Sequence, residues 1–259
     1  MKFRIDHDMH MHSKLSICST DPNQVPNELL RFAEEQGLST ICLTDHHWDE
    51  AVPTSYPKPD YWYSLQNWAK VSSWGKLPQG KNTRFLFGCE IDMDKAGALG
   101  LAPEHYDRFD FIIVPVNHLH LTGFTCEGGE DSPTRARLWC TRLERTLDAA
   151  LPFHKVGLAH LTGATDVFAY ISDEELTRLF TKAAERGCGV ELNCNWLDCS
   201  DEVFASIHLR VLGIAKACGC RFYLGSDAHS LDRFERRIAN FTKIITALDL
   251  EESDKFILK

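Results

Sequence analysis

Residues 3–11, FRIDHDMHM, followed at once by His12 and Ser13, decide how the rest of the chain is read. The run is short and strand-like. It does not lead into the glycine-rich turn that a dinucleotide-binding open sheet places after its first strand. Instead it closes on two imidazoles. His10 and His12 stand two apart, so in a strand both side chains leave the same face and reach one metal ion. An HxH pair alone leaves a site and a structural role equally open, and the neighbouring segments have to decide between them.

Six more short runs rich in β-branched or aromatic residues follow, at 39–44, 84–91, 109–116, 155–161, 189–193 and 221–225. They read as strands buried on both faces. Amphipathic helical stretches separate several of them. In 172–187, Leu176, Leu179, Phe180, Ala183 and Ala184 keep the helical period, Ser172 and Glu175 form a capping box, and Gly187 supplies the stop. The same pattern recurs at 27–37, 133–151, 201–219 and 231–248. Strand alternating with helix implies parallel strands. About seven of them in 259 residues predict an α/β fold, a seven-stranded β/α barrel in a single domain.

With 44% apolar residues the chain has material for a sizeable core, and 25% charged residues with a net charge of −9 give no basic footprint for a phosphate backbone. Nucleic acid is therefore a disfavoured partner. The ten cysteines, Cys18, Cys42, Cys89, Cys126, Cys140, Cys188, Cys194, Cys199, Cys218 and Cys220, are scattered through strand-like and helix-like segments and read as reduced thiols. No long apolar run opens the chain, so neither a signal peptide nor a membrane span is expected, and the expected location is the cytoplasm. One segment breaks the rhythm. Residues 48–83 carry Pro53, Pro57, Pro59 and Pro78 with Tyr56, Tyr61, Trp62, Tyr63, Trp68 and Trp74, too long for an ordinary connection. It reads equally as a lid or substrate wall and as a hydrophobic pad on the barrel flank.

The strand ends carry the chemistry. After His10 and His12, the second strand ends in Thr44-Asp45-His46-His47 and the third in Cys89-Glu90. The fourth ends in Asn117-His118, the fifth in Ala159-His160, the sixth in Glu191-Leu192-Asn193 and the seventh in Ser226-Asp227-Ala228-His229. Parallel β/α architecture gathers all these ends on one face. Buried imidazoles and carboxylates need something to offset their desolvation, and metal ions do so. His with Asp and Glu suits zinc, manganese or iron in a hydrolytic site, and more than four ligands imply two or three divalent ions. Phosphate esters are the substrates that such clusters serve best. His7, His105, His154 and His208 read as ordinary surface or core residues.

The ordered set DMHMHS, LTDHH, GCE, NH, AH and GSDAH, spanning Asp6 to Ser230, resembles the polymerase and histidinol phosphatase (PHP) family of metal-dependent phosphoesterases. The resemblance implies a distorted seven-stranded β/α barrel holding up to three ions. The first would take His10, His12, Glu90 and Asp227, and the second would share Glu90 and add His118 and His160. The third would use His46, His229 and a residue in the loop after His12. At that loop position family members often carry His or Asp, whereas this chain carries Cys18, which reads equally as a thiolate ligand and as a small buried residue. His118 is preferred to His120, taken to share a strand face with it, because it sits where the motif predicts. Asp8 and Asp45 read as groups that orient ligating imidazoles. His47 reads as a proton shuttle or a surface residue, and Asn193 and Asn195 as contacts to substrate or water, or as a turn.

The expected reaction is hydrolysis of a small phosphomonoester by a metal-bridging hydroxide. Lys14, Arg135, Arg137 and Arg233 are candidate phosphate-side cations, none of them assigned. A related metallohydrolase acting on a carbon-nitrogen bond and a metal-bound regulatory or interaction protein are the competing readings.

Overall fold

The computed structural model describes residues 1–19, 21–55, 65–163, 165–193, 202–231 and 233–258. Seven parallel strands stand in sequence order in one sheet: β1 (His7–Met11), β2 (Thr40–Leu43), β3 (Arg84–Glu90), β4 (Phe111–Pro115), β5 (Val156–Ala159), β6 (Gly189–Asn193) and β7 (Arg221–Gly225). Parallel neighbours demand a crossover after every strand. Helix α1 (Pro26–Glu35) links β1 to β2, and the short α2 (Trp68–Val71) lies between β2 and β3. Helices α3 (Ser132–Asp148), α4 (Asp173–Arg186) and α5 (Glu202–Ala217) follow β4, β5 and β6, and α6 (Arg233–Ala247) follows β7. The β3 to β4 link holds only a 3-10 helix, Pro103–Arg108.

Every expected strand is present, and β6 and β7 have the expected bounds. β1 is shorter than the apolar run implied. Phe3 donates its N–H to Leu250 (3.2 Å), so the leading residues pair with the C-terminal segment instead of extending the sheet. Helix α4 begins as predicted, with Ser172 Oγ accepting the Glu175 N–H (3.1 Å), and ends on Gly187 in the left-handed region (φ 74°). The return half of the capping box is diverted, because Glu175 spends its carboxylate on Arg178 (2.8 Å). The main core lies between sheet and helices: Trp139, Leu143 and Leu147 of α3 and Leu176, Leu179 and Phe180 of α4 join Val114, Leu158, Val190 and Leu192 of the strands. A second cluster gathers Met9, Cys42, Leu86, Phe111, Ile113, Ala159 and Tyr223, with Phe256 and Leu258 packed against it. The described cysteines are free thiols, and no described helix is long and apolar enough to cross a membrane. Cys194 and Cys199 lie outside the described residues.

The ring is closed irregularly. β1 and β7 meet past their ends, where Asp227 N–H reaches His10 O (2.7 Å) and His12 N–H reaches Ala228 O (3.0 Å). Below that level side chains replace ladder bonds. His7 Nε2 accepts the Leu224 N–H (2.9 Å), and Asp8 Oδ1 accepts the N–H groups of Ser226 (2.9 Å) and His10 (3.2 Å). Asp8 Oδ2 also accepts the Ser226 hydroxyl. The register of β1 against β2 shifts between Asp8 and Met11, so the pairing is irregular where His10 stands.

The described part of the 48–83 insertion covers the barrel flank. Trp68 packs edge-on against Phe109 (5.8 Å between centroids) and beneath the Arg108 guanidinium (4.7 Å), and Trp48 packs on Phe124 (5.2 Å). Tyr56, Pro57, Pro59, Tyr61, Trp62 and Tyr63 lie outside the described residues.

Replacing Asp8 by Ala strips three buried donors at the closure of their acceptor. Asp8→Ala is expected to lower stability by about 2 kcal/mol or more, and Asp8→Asn, which keeps an acceptor oxygen, by less; urea unfolding of the metal-free proteins measures both.

Candidate metal centre

Glu90 ends β3 with its carboxylate fully buried, and neither oxygen has a hydrogen-bond partner. Its oxygens divide the surrounding imidazoles. Oε2 faces His46 Nδ1 (3.1 Å), His12 Nε2 (3.3 Å) and His10 Nε2 (3.5 Å), while Oε1 faces His160 Nε2 (3.3 Å) and His118 Nε2 (3.6 Å). Asp227 stands across from it, with Oδ1 near His12 Nε2 (3.1 Å), His10 Nε2 (3.5 Å) and His229 Nδ1 (3.7 Å). Backbone pairing carried past β2 sets His46 in place: Glu90 donates to Asp45 O (3.1 Å), and His47 donates to Glu90 O (2.8 Å).

These side chains fall into overlapping groups whose ligand atoms lie within 4.8 Å of one another. His10 and His12 meet Glu90; Glu90 meets His118 and His160; His10 and His160 meet Asp227; His12 and Asp227 meet His229; and Cys18 meets His12 and His46. All nine sequence candidates are thus brought together. The grouping departs from the expected one in two respects: His160 also meets His10 and Asp227, and Cys18 joins His46 through His12 while His229 joins His12 and Asp227 instead of that pair.

The electrostatics fit cations at the centre. Burial alone would raise the Glu90 carboxyl, yet the His46 and His10 charges and the facing His10 and His12 rings hold it well below the usual carboxylate range. Asp227 is lowered against its burial by His10, His12 and His160. Burial opposes charge on His10, but Glu191, Glu90 and Asp227 raise it well above the ordinary imidazole value, and His12 and His160 rise likewise despite theirs. Cys18 is exposed at the cavity rather than a small buried residue, and although the crowding around its sulfur opposes a charge, the facing His12 and His46 charges strongly favour the thiolate. Protons on these imidazoles offset the buried carboxylates as divalent ions would, and ion binding would displace them. The orphaned Glu90 oxygens and His10 Nε2, all buried, are the polar atoms that such ions would satisfy.

Four of the imidazoles are turned by a partner beside them. His10 Nδ1 meets Glu191 Oε1 (2.5 Å), and Glu191 Oε2 accepts the His160 N–H (2.9 Å). Glu191 is therefore an orienting group rather than a ligand. It fits only because β7 has Gly225 opposite, where an added Cβ would stand 2.1 Å from Oε1. His118 Nδ1 meets Asp92 Oδ2 (2.9 Å), His12 Nδ1 meets Ser16 Oγ (3.1 Å), and His229 Nδ1 meets Asp227 O (2.8 Å). Behind Asp92 the buried Arg142 of α3 approaches Oδ1 (3.5 Å) and donates to Met93 O (2.7 Å) and Val116 O (3.1 Å), tying together the loops that follow Glu90 and precede His118. His160 (φ 53°) and Asp227 (φ 49°) occupy the left-handed region, a strain that the packed site sustains.

Several expectations change. Asp8 and Asp45 do not orient imidazoles: Asp8 braces the β1 to β7 closure, and Asp45 accepts the Ser13 N–H and hydroxyl (both 2.6 Å). Each stands next to a ligand in sequence, but alternation along an extended chain turns it away. His47 is not at the surface: it is buried against Phe109 (5.3 Å), and burial pushes its imidazole down to about 4. His118 and His120 lie in the loop beyond β4 rather than on a strand face, and His120 is exposed at the cavity rim. Among the four cations Arg233 reaches a site residue, His229 Nδ1 (2.9 Å), while Arg135 pairs with Asp166 (3.2 Å), Arg137 with Thr134 (2.7 Å), and Lys14 lies over Trp74 (5.8 Å). Asn193 is buried at the end of β6, and Asn195 lies outside the described residues. Asp92 was missed, although it stands two residues after Glu90 with the spacing of the first histidine pair.

The site opens into a cavity of about 440 Å³ whose walls include Ile17, Cys18, His120, Leu121, His160 and His229. No described residue of the 48–83 insertion lines it, which supports the flank reading over the lid for that part.

The sequence profile of the PHP domain matches residues 8–195. Comparison with curated protein sequences finds no match. Among solved structures, histidinol phosphate phosphatase from Lactococcus lactis subsp. lactis Il1403, complexed with zinc, L-histidinol and phosphate, superposes with a TM-score of 0.62 at 18% identity, covering 97% of this chain and 98% of that one. A histidinol phosphatase candidate from Listeria monocytogenes superposes at 0.60 with 11% identity, covering 91% of this chain and 99% of that one.

Asp92→Asn keeps the shape behind His118 and removes the charge that orients it. Metal affinity measured by chelator competition is expected to fall about 10- to 100-fold.

Proposed function

We propose, from the premise that the chain belongs to the PHP domain family, that it is a metal-dependent hydrolase acting on a small phosphomonoester. The observation that carries this reading is the Glu90 carboxylate, buried, without a hydrogen-bond donor, and faced by imidazoles on both oxygens. Such a carboxylate could be shared by two cations: His10, His12 and Asp227 would help to hold one, and His118 and His160 the other. For a third, Cys18 and His46 would converge with His12, and His229 would approach beside His12 and Asp227. Zinc, manganese and iron all suit the imidazole and carboxylate donors. When bound, such ions supply an activated water near neutral pH and neutralise charge in the transition state.

The remaining work belongs to the chain. Glu191 holds His10 Nδ1 so that Nε2 points at Glu90 and Asp227, and Asp92 does the same for His118. Ile17 and Leu121 give the cavity an apolar wall against which the organic part of a substrate excludes water. A cavity of about 440 Å³ suits a small ester rather than a polymer, in keeping with the chain's net charge of −9. The ligands of the Lactococcus structure, zinc, phosphate and a small amino alcohol, are of the classes proposed here.

Protein loaded separately with zinc, manganese and ferrous iron is expected to release inorganic phosphate from members of a panel of small phosphomonoesters. Chelation should abolish release and metal return should restore it, and His10→Ala and Asp227→Ala should fall to background. Absence of phosphate release from every ester by fully loaded protein would overturn the proposal, and turnover of amides in parallel assays would redirect it to carbon-nitrogen bonds.

A further inference from the structure

Residues 13–18 leave β1 without regular secondary structure and carry Ser16, Ile17 and Cys18 into the site. Such a loop must satisfy its backbone groups elsewhere. On the cluster side Ser16 Oγ serves His12 Nδ1 (3.1 Å), the His46 N–H (3.4 Å) and the Cys18 thiol (3.4 Å). From the other side the loop is gripped by the segment between β2 and β3. Gln66 is fully buried there: its Oε1 accepts the Ile17 N–H (2.7 Å), and its Nε2 donates to Leu15 O (3.3 Å). Its own carbonyl accepts the Trp48 N–H (2.8 Å). Trp74 Nε1 donates to Ser13 Oγ (3.0 Å), whose proton goes to Asp45 Oδ2 (2.6 Å).

A primary amide is the side chain that offers a backbone both a donor and an acceptor, and Gln66 spends one of each on two residues just before Cys18. We propose that Gln66 is a positioning residue for the metal centre: it holds the 15–17 backbone so that the Cys18 thiolate stands beside His12 and His46 as a ligand. The segment that interrupts the barrel rhythm thereby controls occupancy of the sulfur-bearing position. Two observations point to a ligand there besides the cysteine. The Glu90 carboxylate and His10 Nε2, both buried and without hydrogen-bond partners, are aimed into the same cluster, and the ligand atoms of His12, Cys18 and His46 converge. A thiolate among imidazoles favours zinc over manganese at that position.

The proposal rests on the metal reading above and is tested apart from activity. Protein reconstituted with cobalt(II) reports a sulfur ligand by its thiolate charge-transfer band, and elemental analysis with chelator competition counts and ranks the ions. The wild-type chain is expected to show the band, and Cys18→Ser to lose it together with one ion. Gln66→Met, of similar reach but without hydrogen bonds, should weaken that ion about 10- to 100-fold and leave the others in place. Gln66→Glu, which keeps the oxygen facing Ile17, should fall between, and it carries the comparison if the Met variant does not fold. Wild-type band and affinity in the Gln66 variants would overturn the positioning role, and identical spectra for wild type and Cys18→Ser would overturn the thiolate. A chain that binds no ion at all would instead overturn the metal reading itself.

Discussion

A carboxylate taken out of water with no donor to receive it is among the costlier arrangements in a protein interior, and Glu90 is such a group. Its burial at the end of the central part of the sheet requires positive charge on both of its sides. Imidazoles from β1, from the ends of β2 and β5 and from the loop beyond β4 supply the means, as hosts for protons or for metal ions. Breaking such a cluster by removing one partner leaves the rest uncompensated, so its members act as a unit rather than as a sum of pairs. The same demand explains a layer of partners further out. Glu191, Asp92 and Ser16 have no access to the centre and instead fix which nitrogen each imidazole presents to it.

Barrel geometry makes this convergence affordable in backbone terms. Seven parallel strands deliver their ends to one face without any long detour of the chain. The closure between β1 and β7 is where regularity gives way. There His7 and Asp8 stand in for sheet acceptors, and the pairing of the strand with β2 shifts register at His10. His160 and Asp227 take left-handed conformations at their strand ends. Distortion is thus concentrated at the face that holds the donors, while the helices and the opposite cluster around Phe111 and Tyr223 pack conventionally.

The segment between β2 and β3 has a place in the same scheme. Its aromatic residues cover the flank through Trp68 and Trp48, and its polar residues, Gln66 and the Trp74 indole, turn inward to the loop after β1. A segment that looked extraneous to the barrel therefore braces a stretch of the site that has no strand or helix of its own to hold it.

Much of the site was legible in the linear chain because its donors obey local rules. The seven runs have strand character, each ends in a group able to bind a metal, and the spacing of two in His10-Met11-His12 survives into the structure as two rings 5.2 Å apart facing Glu90. Strand-like runs alternating with helical ones determined the α/β barrel and the donors at its strand ends, and the resemblance to the PHP family implied the set of nine, Cys18 among them. Tertiary structure decided what stands behind them. Asp8 and Asp45 looked like partners of neighbouring imidazoles and are instead braces for backbone. Glu191, 181 residues from His10, and Gln66, 49 residues from Ile17, do the orienting. The physical reason is one of range. A ligand at a strand end is marked by its own position, whereas a hydrogen bond between distant segments exists only once the chain has closed on itself, and no period in the sequence records it.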